Sequence, residues 1–337
     1  MNPFSYERPD NVAGALRGVD GRSVKFIAGG TNLLDLMKEG VERPSRLIDI
    51  NHLPLGKIEE NEDGGLRIGA LVRNADAAYD ERIKAGYPLL SSAFLAGASP
   101  QLRNAASTGG NLLQRTRCYY FYDTATPCNK REPGSGCSAI GGVNRIHAIL
   151  GASDQCIATH PSDMCVGLAA LNAKVRVTGE EGDRVIEFAD FHRLPGNTPH
   201  IDTTLKAGEL ITGVDLPGET FDTNFTYLKL RDRLSYAFAL VSVAVAMKLD
   251  GGKIAEVRVA LGGVAHKPWR NTEAEAVLVG QAPEAAAFAT FAENVLREAK
   301  GQGHNDFKTD LAKRAIMRAL RQAAAGTPQS QTHKRVA

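Results

Sequence analysis

The sequence predicts an α+β fold in three parts, and two patterns along the chain indicate it. In the first 220 residues, short apolar runs alternate with glycine turns and helical segments, as in sheets covered by helices. Further on, β-rich runs at 238–249 and 254–261 are joined by Asp250-Gly251-Gly252, a strong hairpin signal. An alanine-rich helical pattern then continues to residue 324.

These patterns also set the expected domain boundaries. We predict an N-terminal α/β lobe at 1–60, a second lobe at 61–220 and a C-terminal α+β domain at 221–325. The polar segment 326–337 is expected to be disordered, since a chain terminus is ordered only where something holds it. The second lobe contains an insertion at about 115–158 that is rich in cysteine, proline and glycine.

Composition narrows the class of protein. The chain has 337 residues, 43% of them hydrophobic and 23% charged, which is typical of a soluble globular protein with two or three domains. A net charge of +2 gives no electrostatic reason to expect nucleic acid or a membrane surface as partner. No apolar run reaches the roughly 18 residues of a membrane-spanning helix.

The N-terminal sequence bears on location. MNPFSYERPDN lacks the basic and apolar regions of a signal peptide. We therefore expect a cytoplasmic protein, unless the folded chain is exported to the periplasm with a partner that carries the signal.

The N-terminal lobe is predicted to contain strands at 4–7, 23–28 and 46–50, and helices at 10–18 and 31–38. Asp10 is the expected N-cap of the first helix. The second strand enters Gly29-Gly30 and a helix follows. Glycines let a backbone approach a ligand closely, and free N–H groups at a helix start face an anion such as a dinucleotide pyrophosphate. A plain strand-to-helix turn explains this pattern equally well, and the glycine order is not the nicotinamide fingerprint G-x-G-x-x-G.

A second glycine turn, Ser107-Thr108-Gly109-Gly110-Asn111-Leu112-Leu113, shares its core with the first. Two such turns could hold one pyrophosphate from both sides, which explains their similarity better than duplication does, because no tandem repeat is visible. The other elements predicted before it are strands at 57–61 and 66–71, and helices at 73–85 and 89–98.

The remaining elements follow the insertion. Strands are predicted at 174–178, 184–188, 210–216, 225–230, 238–249 and 254–261, and helices at 163–170, 272–279, 283–300 and 308–324. Asp163 opens the first of these helices, and a helix cap is the simplest interpretation of that aspartate.

All five cysteines of the chain lie between residues 118 and 165: Cys118, Cys128, Cys137, Cys156 and Cys165. No C-x-x-C pair occurs, so the usual zinc-ribbon and ferredoxin patterns do not apply. The proline- and glycine-rich stretch 127–142 could wrap around a compact inorganic centre. Spacing alone favours a four-thiolate cluster or zinc site over disulfides or free thiols. Cys165 lies in an apolar helical run and is expected to be a core residue.

Aromatic residues and one histidine accompany the cysteines. The run Tyr119-Tyr120-Phe121-Tyr122 could shield a cluster from water, although a half-buried strand or collapsed loop is the commoner interpretation. His147 could contact a cofactor, and a lone histidine is more often structural.

Several motifs occur together in a recognisable order. FIAGGTNLL, STGGNL, PSD, GELITGVDLP and YLKLRDR extend over nearly the whole chain. In this order they resemble the flavoprotein subunit of the molybdenum hydroxylases, the family of xanthine dehydrogenase, aldehyde oxidase and carbon monoxide dehydrogenase. The cysteine insertion, with RTRCYYFYD and PCNKREPGSGC, is similar to the branch that carries an extra [4Fe-4S] cluster, and most similar to the periplasmic aldehyde oxidase type.

The resemblance implies a fold, two cofactors and partners. The fold is a two-lobed FAD-binding domain of the vanillyl-alcohol-oxidase/CO dehydrogenase flavoprotein type, followed by a C-terminal antiparallel sheet with helices. The cofactors are FAD and a [4Fe-4S] cluster. The partners are a large molybdenum-cofactor subunit, a small subunit with two [2Fe-2S] clusters, and an external electron acceptor such as ferredoxin, quinone or oxygen.

The resemblance also assigns residues. FAD-binding positions are Phe26, Ile27, Ala28, Gly29, Gly30, Thr31, Asn32, Leu33 and Leu34 in the first loop, Ser107, Thr108, Gly110 and Asn111 in the second, and Asp163, Leu210, Ile211 and Lys229 elsewhere. Asp163 is implied to lie against the flavin, Leu210 or Ile211 against the flavin or adenine, and Lys229 near the isoalloxazine. The implied cluster ligands are Cys118, Cys128, Cys137 and Cys156.

No residue set suited to transforming a substrate is visible, since Ser-His-Asp, H-E-x-x-H and Walker signatures are missing. That absence fits an electron-transfer subunit. Two alternatives remain open at this point: a non-redox scaffold whose loop is stapled by zinc, and a stand-alone FAD oxidase.

Overall fold

Three sheets organise the protein, and the second of them begins at Ile58, just before the predicted boundary at residue 60. The structure, a computed structural model, describes residues 1–17, 19 and 23–333. The sheets have three, five and four strands, and helices cover them. None of the helices that the structure describes is long and apolar enough to cross a lipid bilayer.

The N-terminal lobe is a parallel sheet in the order β1-β3-β2. Its elements are β1 (Ser5–Glu7), α1 (Val12–Leu16), β2 (Val24–Ile27), α2 (Leu33–Lys38) and β3 (Arg46–Asp49). The N-cap of α1 is Asn11 rather than the expected Asp10, because the Asn11 side chain accepts a hydrogen bond from Gly14 N at 2.8 Å. The helix ends at Leu16, and the predicted end at Gly18 lies outside the described residues.

The second lobe is an antiparallel sheet in the order β4-β5-β8-β6-β7. Its strands are β4 (Ile58–Glu60), β5 (Leu66–Gly69), β6 (Lys174–Gly179), β7 (Gly182–Glu187) and β8 (Leu210–Asp215). Its helices are α3 (Asn74–Tyr79), α4 (Glu81–Gly86), α5 (Pro88–Ala96), α6 (Pro100–Arg103), α7 (Thr108–Leu112), α8 (Tyr119–Tyr122), α9 (Asp163–Ala170) and α10 (Phe188–Phe191). The single helix predicted at 73–85 is two helices, since Asp80 has extended backbone and its carboxylate caps α4.

The insertion has little regular structure and is held by its side chains. Cys118, Cys128 and Cys156 are buried in one hydrophobic cluster with Phe121. Arg131 donates to the carbonyl of Tyr120 at 2.7 Å within the loop, and Asn144 donates to the carbonyl of Gln302 at 2.7 Å in the C-terminal domain. Helix α8 places the aromatic run in a single helical turn, not in a strand.

The C-terminal domain is an antiparallel sheet in the order β12-β11-β10-β9. Its elements are β9 (Asn224–Leu230), β10 (Val241–Asp250), β11 (Lys253–Gly262), β12 (Trp269–Arg270), α11 (Thr272–Leu278), α12 (Ala285–Val295) and α13 (Phe307–Ala324). The predicted hairpin forms at Gly251 and Gly252, which take φ values of 54° and 77°, the left-handed region that glycine adopts readily.

The C-terminal segment is ordered farther than we expected. The Gln329 side-chain oxygen accepts from the Lys229 N–H at 3.0 Å, and Gln331 donates to the carbonyl of Tyr227 at 2.9 Å. Because β9 is an edge strand, its outer backbone groups need partners, and these glutamines supply them. Residues 334–337 lie outside the described part of the chain.

Lys308 gives the C-terminal domain a testable pH dependence. Its side chain is fully buried in α13 and donates to the carbonyls of His147 and Gly263, and no carboxylate of the described residues raises its pKa. Burial lowers the pKa of Lys308 to about 7.

We expect Lys308→Met to change how stability depends on pH. Between pH about 7 and about 10.4, the unfolded lysine binds a proton that the folded one has lost, so its contribution to stability rises with pH in that window. The wild-type melting temperature, measured against that of Lys308→Met, should therefore rise from neutral to alkaline pH. If the difference in melting temperature between the two proteins stayed constant across that pH range, Lys308 would not have the lowered pKa that its burial implies.

Candidate cofactor cleft and four-cysteine cavity

A cleft of about 1110 Å³ lies where the three parts of the chain meet. The first lobe contributes residues around Gly29, the second lobe contributes residues around Ser107 and Asp163, and the C-terminal domain contributes Lys229 and Phe238. This volume lies at the upper end of ordinary ligand pockets and suits a dinucleotide-sized cofactor.

The two glycine turns form adjacent parts of the cleft wall. A Cβ atom on Gly29 would lie 1.9 Å from the carbonyl oxygen of Ala105, so only glycine allows the first turn to pack against the segment entering the second. Gly30 has φ +70°, a conformation that other residues adopt at a cost. The two turns thus act as one surface.

Polar groups of these turns fit an anionic ligand. The Asn32 side-chain oxygen accepts from Arg115 N at 2.8 Å, which orients the amide. Its nitrogen is buried and has no hydrogen-bond partner among the described residues. The Ser107 hydroxyl accepts from Gly110 N at 3.2 Å and fixes the second turn. A buried donor without an acceptor is costly, so a phosphate oxygen is a fitting partner for Asn32.

Asp163 and Lys229 form a buried ion pair on the cleft wall. Lys229 Nζ lies 2.8 Å from Asp163 Oδ2 and also donates to the carbonyl of Ala96 at 3.0 Å. The Tyr227 hydroxyl donates a hydrogen bond to Asp163 Oδ1 at 2.7 Å. Burial lowers the pKa of Lys229 and the neighbouring carboxylate opposes that change, while burial and the same carboxylate raise the pKa of Tyr227.

The ion pair changes the roles that the sequence predicted for Asp163 and Lys229. Asp163 does not cap α9, because Ser162 is the N-cap and accepts from Cys165 N at 3.1 Å. This frees the aspartate to face Lys229. The Lys229 ammonium, which we expected near the isoalloxazine, lies at the cleft but is already paired with Asp163.

Most of the predicted FAD-binding residues line the cleft: Phe26, Ile27, Ala28, Gly29, Gly30, Thr31, Asn32, Leu33, Ser107, Gly110, Asn111, Asp163 and Lys229. Leu34, Thr108, Leu210 and Ile211 do not. Thr108 is buried and donates to the carbonyl of Val72 at 2.9 Å. Leu210 and Ile211 pack into two different hydrophobic cores, because successive residues of β8 face opposite sides of the sheet.

Sequence reasoning missed further lining residues, including Arg115, His160, His192 and Tyr236. The rings of His160 and His192 lie 4.3 Å apart, and His192 Nε2 lies 2.9 Å from the carbonyl oxygen of Leu112. Burial lowers the pKa of His192 to about 4, so its ring is neutral at pH 7. His160 directly precedes the PSD motif, whereas nothing near His192 in the sequence indicates a site.

Four of the cysteines converge on one small cavity: Cys118, Cys128, Cys137 and Cys156. Cys128 and Cys137 also form an isolated backbone bridge. All five cysteines of the chain are free thiols, so the disulfide alternative is not what the structure contains. Burial raises the pKa of Cys118 to about 12 and that of Cys156 to about 11, so thiolates there need a compensating positive centre.

Cys165 is separate from this group. It is fully buried in α9 within the core of the second lobe and does not line the cavity. The structure therefore divides the cysteines into four that line the cavity and one that does not.

The cavity and the cleft share a wall. Leu36 belongs to the hydrophobic cluster around the cysteines and also lines the cleft. The Arg115 guanidinium, on the cleft side, lies 4.9 Å from the ring centroid of Phe121, on the cavity side. Asp202 accepts from Lys130 and lies 2.7 Å from Arg115 Nε. Burial alone raises the pKa of Asp202, but these two cations hold it well below its usual range.

A dinucleotide-sized cleft with phosphate-compatible turns, beside a four-thiol cavity, defines a cofactor-carrying protein of the flavoprotein type. Two family models match the chain: "FAD binding domain in molybdopterin dehydrogenase" over residues 2–219 and "CO dehydrogenase flavoprotein C-terminal domain" over residues 225–323. The chain belongs to this family, the FAD-binding medium subunits of the molybdenum hydroxylases.

Named relatives support this membership. The chain is 54% identical to an aldehyde oxidoreductase FAD-binding subunit of Escherichia coli K12 over 96% of this chain and 99% of that one. It is 29% identical to the glyceraldehyde dehydrogenase medium chain of Sulfolobus acidocaldarius over 82% of each chain. A carbon monoxide dehydrogenase structure from Hydrogenophaga pseudoflava matches with TM-score 0.76 and 26% identity over 96% of this chain and 98% of that one.

A quinoline 2-oxidoreductase structure from Pseudomonas putida 86 shares the fold, with TM-score 0.74, 24% identity and coverage of 97% of this chain and 99% of that one. The predicted family, fold class and oxidoreductase class are confirmed. The family membership disfavours a non-redox scaffold.

We expect Gly110→Val to lose flavin. A Cβ atom there would lie 2.9 Å from the Ser107 hydroxyl, which would have to shift, and no other atom lies within 4 Å of it, so the added methyls would occupy the cleft. A loss of about 1.4 kcal/mol of binding free energy lowers affinity tenfold, and a bulky group at a pyrophosphate site should exceed that. Flavin released from the purified protein by denaturation is the measurement.

Gly56→Val is the matched control, since nothing lies within 4 Å of its Cβ position. Full flavin content in Gly110→Val would show that the second turn does not hold the pyrophosphate.

Proposed function

We propose that this chain holds FAD and a [4Fe-4S] cluster and passes electrons from its partner subunits to an external acceptor. The observation that carries the proposal is the convergence of four cysteines on a buried cavity that shares a wall with the cofactor cleft.

The cleft residues have separable roles toward FAD. The glycine turns and the Asn32 amide bind the pyrophosphate and orient the molecule. The Asp163–Lys229 ion pair joins α9 to β9 in the wall of the cleft. Because the two charges neutralise each other, this part of the wall is fixed before the cofactor binds. FAD, when bound, supplies two-electron and one-electron redox chemistry that no side chain of this protein provides.

The insertion residues act toward the cluster. Cys118, Cys128, Cys137 and Cys156 are the proposed ligands. Phe121 and Ala139, both nearly fully buried, exclude water from the cavity. Lys130, also buried there, places a cation beside the thiolates and is itself anchored by Asp202 and the carbonyl of Pro199. A zinc ion is the second candidate, since four thiolates bind it as well.

The partners follow from the relatives. Two relatives that each match 96% of this chain are named as the FAD-binding subunit of an aldehyde oxidoreductase and the medium chain of a carbon monoxide dehydrogenase. We infer a large molybdenum-cofactor subunit that oxidises an aldehyde and a small subunit with two [2Fe-2S] clusters. The acceptor, ferredoxin, quinone or oxygen, would receive electrons at the flavin.

Serine substitutions of the cysteines test the cluster. Cys118→Ser, Cys128→Ser, Cys137→Ser and Cys156→Ser should each lower iron per chain by about tenfold or more, because metal binding and loop folding are one equilibrium. Cys165→Ala should keep full iron, since it deletes one small buried group in a separate core. Iron and zinc analysis of the purified complexes, with low-temperature EPR after reduction, gives the answer.

Three outcomes would overturn parts of this assignment. Stoichiometric zinc without iron would make the loop a structural zinc site. Loss of iron in Cys165→Ala with full iron in Cys156→Ser would exchange one ligand. Full iron in all five variants would place the cluster elsewhere in the complex.

A further inference from the structure

His147 contacts one of the four cavity cysteines directly. Its Nε2 atom lies 3.1 Å from the sulfur of Cys118, and both side chains are buried. We propose that His147 is a positioning residue that donates an N–H···S hydrogen bond to Cys118 and raises the reduction potential of the centre held there. The inference rests on the proposed function, because it requires an iron–sulfur cluster in the cavity.

The surroundings of the ring decide which nitrogen carries the proton. A metal-bound thiolate can only accept a hydrogen bond, so Nε2 must be the protonated nitrogen. The other ring nitrogen, Nδ1, is buried and makes no hydrogen bond of ordinary geometry, although the Asn144 carbonyl lies near the ring. A proton on Nδ1 would therefore be poorly satisfied, which is costly for a buried donor. The acceptor sulfur at Nε2 favours the neutral tautomer with its proton directed at Cys118.

The backbone of His147 is anchored to the C-terminal domain, and two aromatic rings flank its side chain. The His147 carbonyl accepts from Asn305 at 3.0 Å and from Lys308 at 2.7 Å, both near the start of α13. The rings of Tyr119 and Tyr120 flank it, each with its centroid 6.5 Å from that of the imidazole. The C-terminal domain thus fixes a residue of the insertion against a cluster ligand.

A donor in this position acts on the redox equilibrium. Reduction adds negative charge to the cluster and its sulfur ligands, and an N–H dipole directed at a sulfur stabilises the more negative state. Cys156 receives a longer backbone contact, from Ala158 N at 3.5 Å. The His147 contact to Cys118, at 3.1 Å, is therefore the shorter of these two contacts to cluster sulfurs.

Redox titration of the assembled complex, followed by low-temperature EPR, tests the proposal. His147→Leu removes the donor, and we expect the variant to keep full iron. Its equilibrium constant for reduction should fall roughly tenfold, which corresponds to a midpoint potential lower by about 59 mV for one electron. His147→Gln places an amide N–H at a similar distance from the backbone and should restore most of the potential. His304→Leu, an exposed histidine beside the same junction, is the matched control and should leave the potential unchanged.

A second measurement uses only the wild-type complex, so it does not depend on whether a variant keeps the cluster. In wild-type complex with isotope-labelled histidine, the reduced cluster should show a weak hyperfine coupling to an imidazole nitrogen. An iron-replete wild type without that coupling, or His147→Leu with full iron and an unchanged potential, would overturn the inference. A wild type without iron in this chain would instead refute the proposed cluster itself.

Discussion

The buried pair of Asp163 and Lys229 is the interaction on which the cleft depends. It connects the start of α9 in the second lobe with β9 in the C-terminal domain, and the Ala96 carbonyl at the end of α5 completes the contact. Two charges in such a place lose their hydration, so their mutual attraction and the hydroxyl of Tyr227 must compensate them. Removing one partner would leave an unpaired buried charge, which typically costs about 3–5 kcal/mol. The wall that faces the cofactor is therefore rigid because of electrostatics as well as packing.

The cysteine insertion obeys a different constraint. It has almost no sheet or helix of its own, and four thiols occupy the place where apolar side chains would form a core. Its other contacts lie both within the loop, as between Arg131 and the Tyr120 carbonyl, and outside it, as between Lys130 and Asp202. With the cluster proposed above, folding of the insertion and incorporation of the metal centre would be coupled.

Much of this arrangement is predictable from sequence, and the exceptions have physical causes. The strand-glycine-helix unit, the hairpin at Gly251 and the division of the cysteines follow from local chemistry, which a single sequence displays. The cap of α9 was misassigned because Ser162 and Asp163 are both good caps, and only the tertiary partner Lys229 decides between them. His192 and Arg115 reach the cleft through long-range packing, which leaves no local signal. Of Leu210 and Ile211, one was expected to face the cofactor, and neither does, because tertiary packing covers both faces of β8 with hydrophobic core.

The glutamines that follow α13 bear on how this chain associates with others. An edge strand with free N–H and C=O groups is a template onto which another chain can add a strand. The side-chain amides of Gln329 and Gln331 form hydrogen bonds with backbone groups on the outer edge of β9. Unlike an added strand, these side chains present no further row of backbone donors and acceptors. The segment thereby ends the sheet. A flavoprotein subunit that must join two different partners gains from this, because its own copies are denied the simplest way to pair with each other.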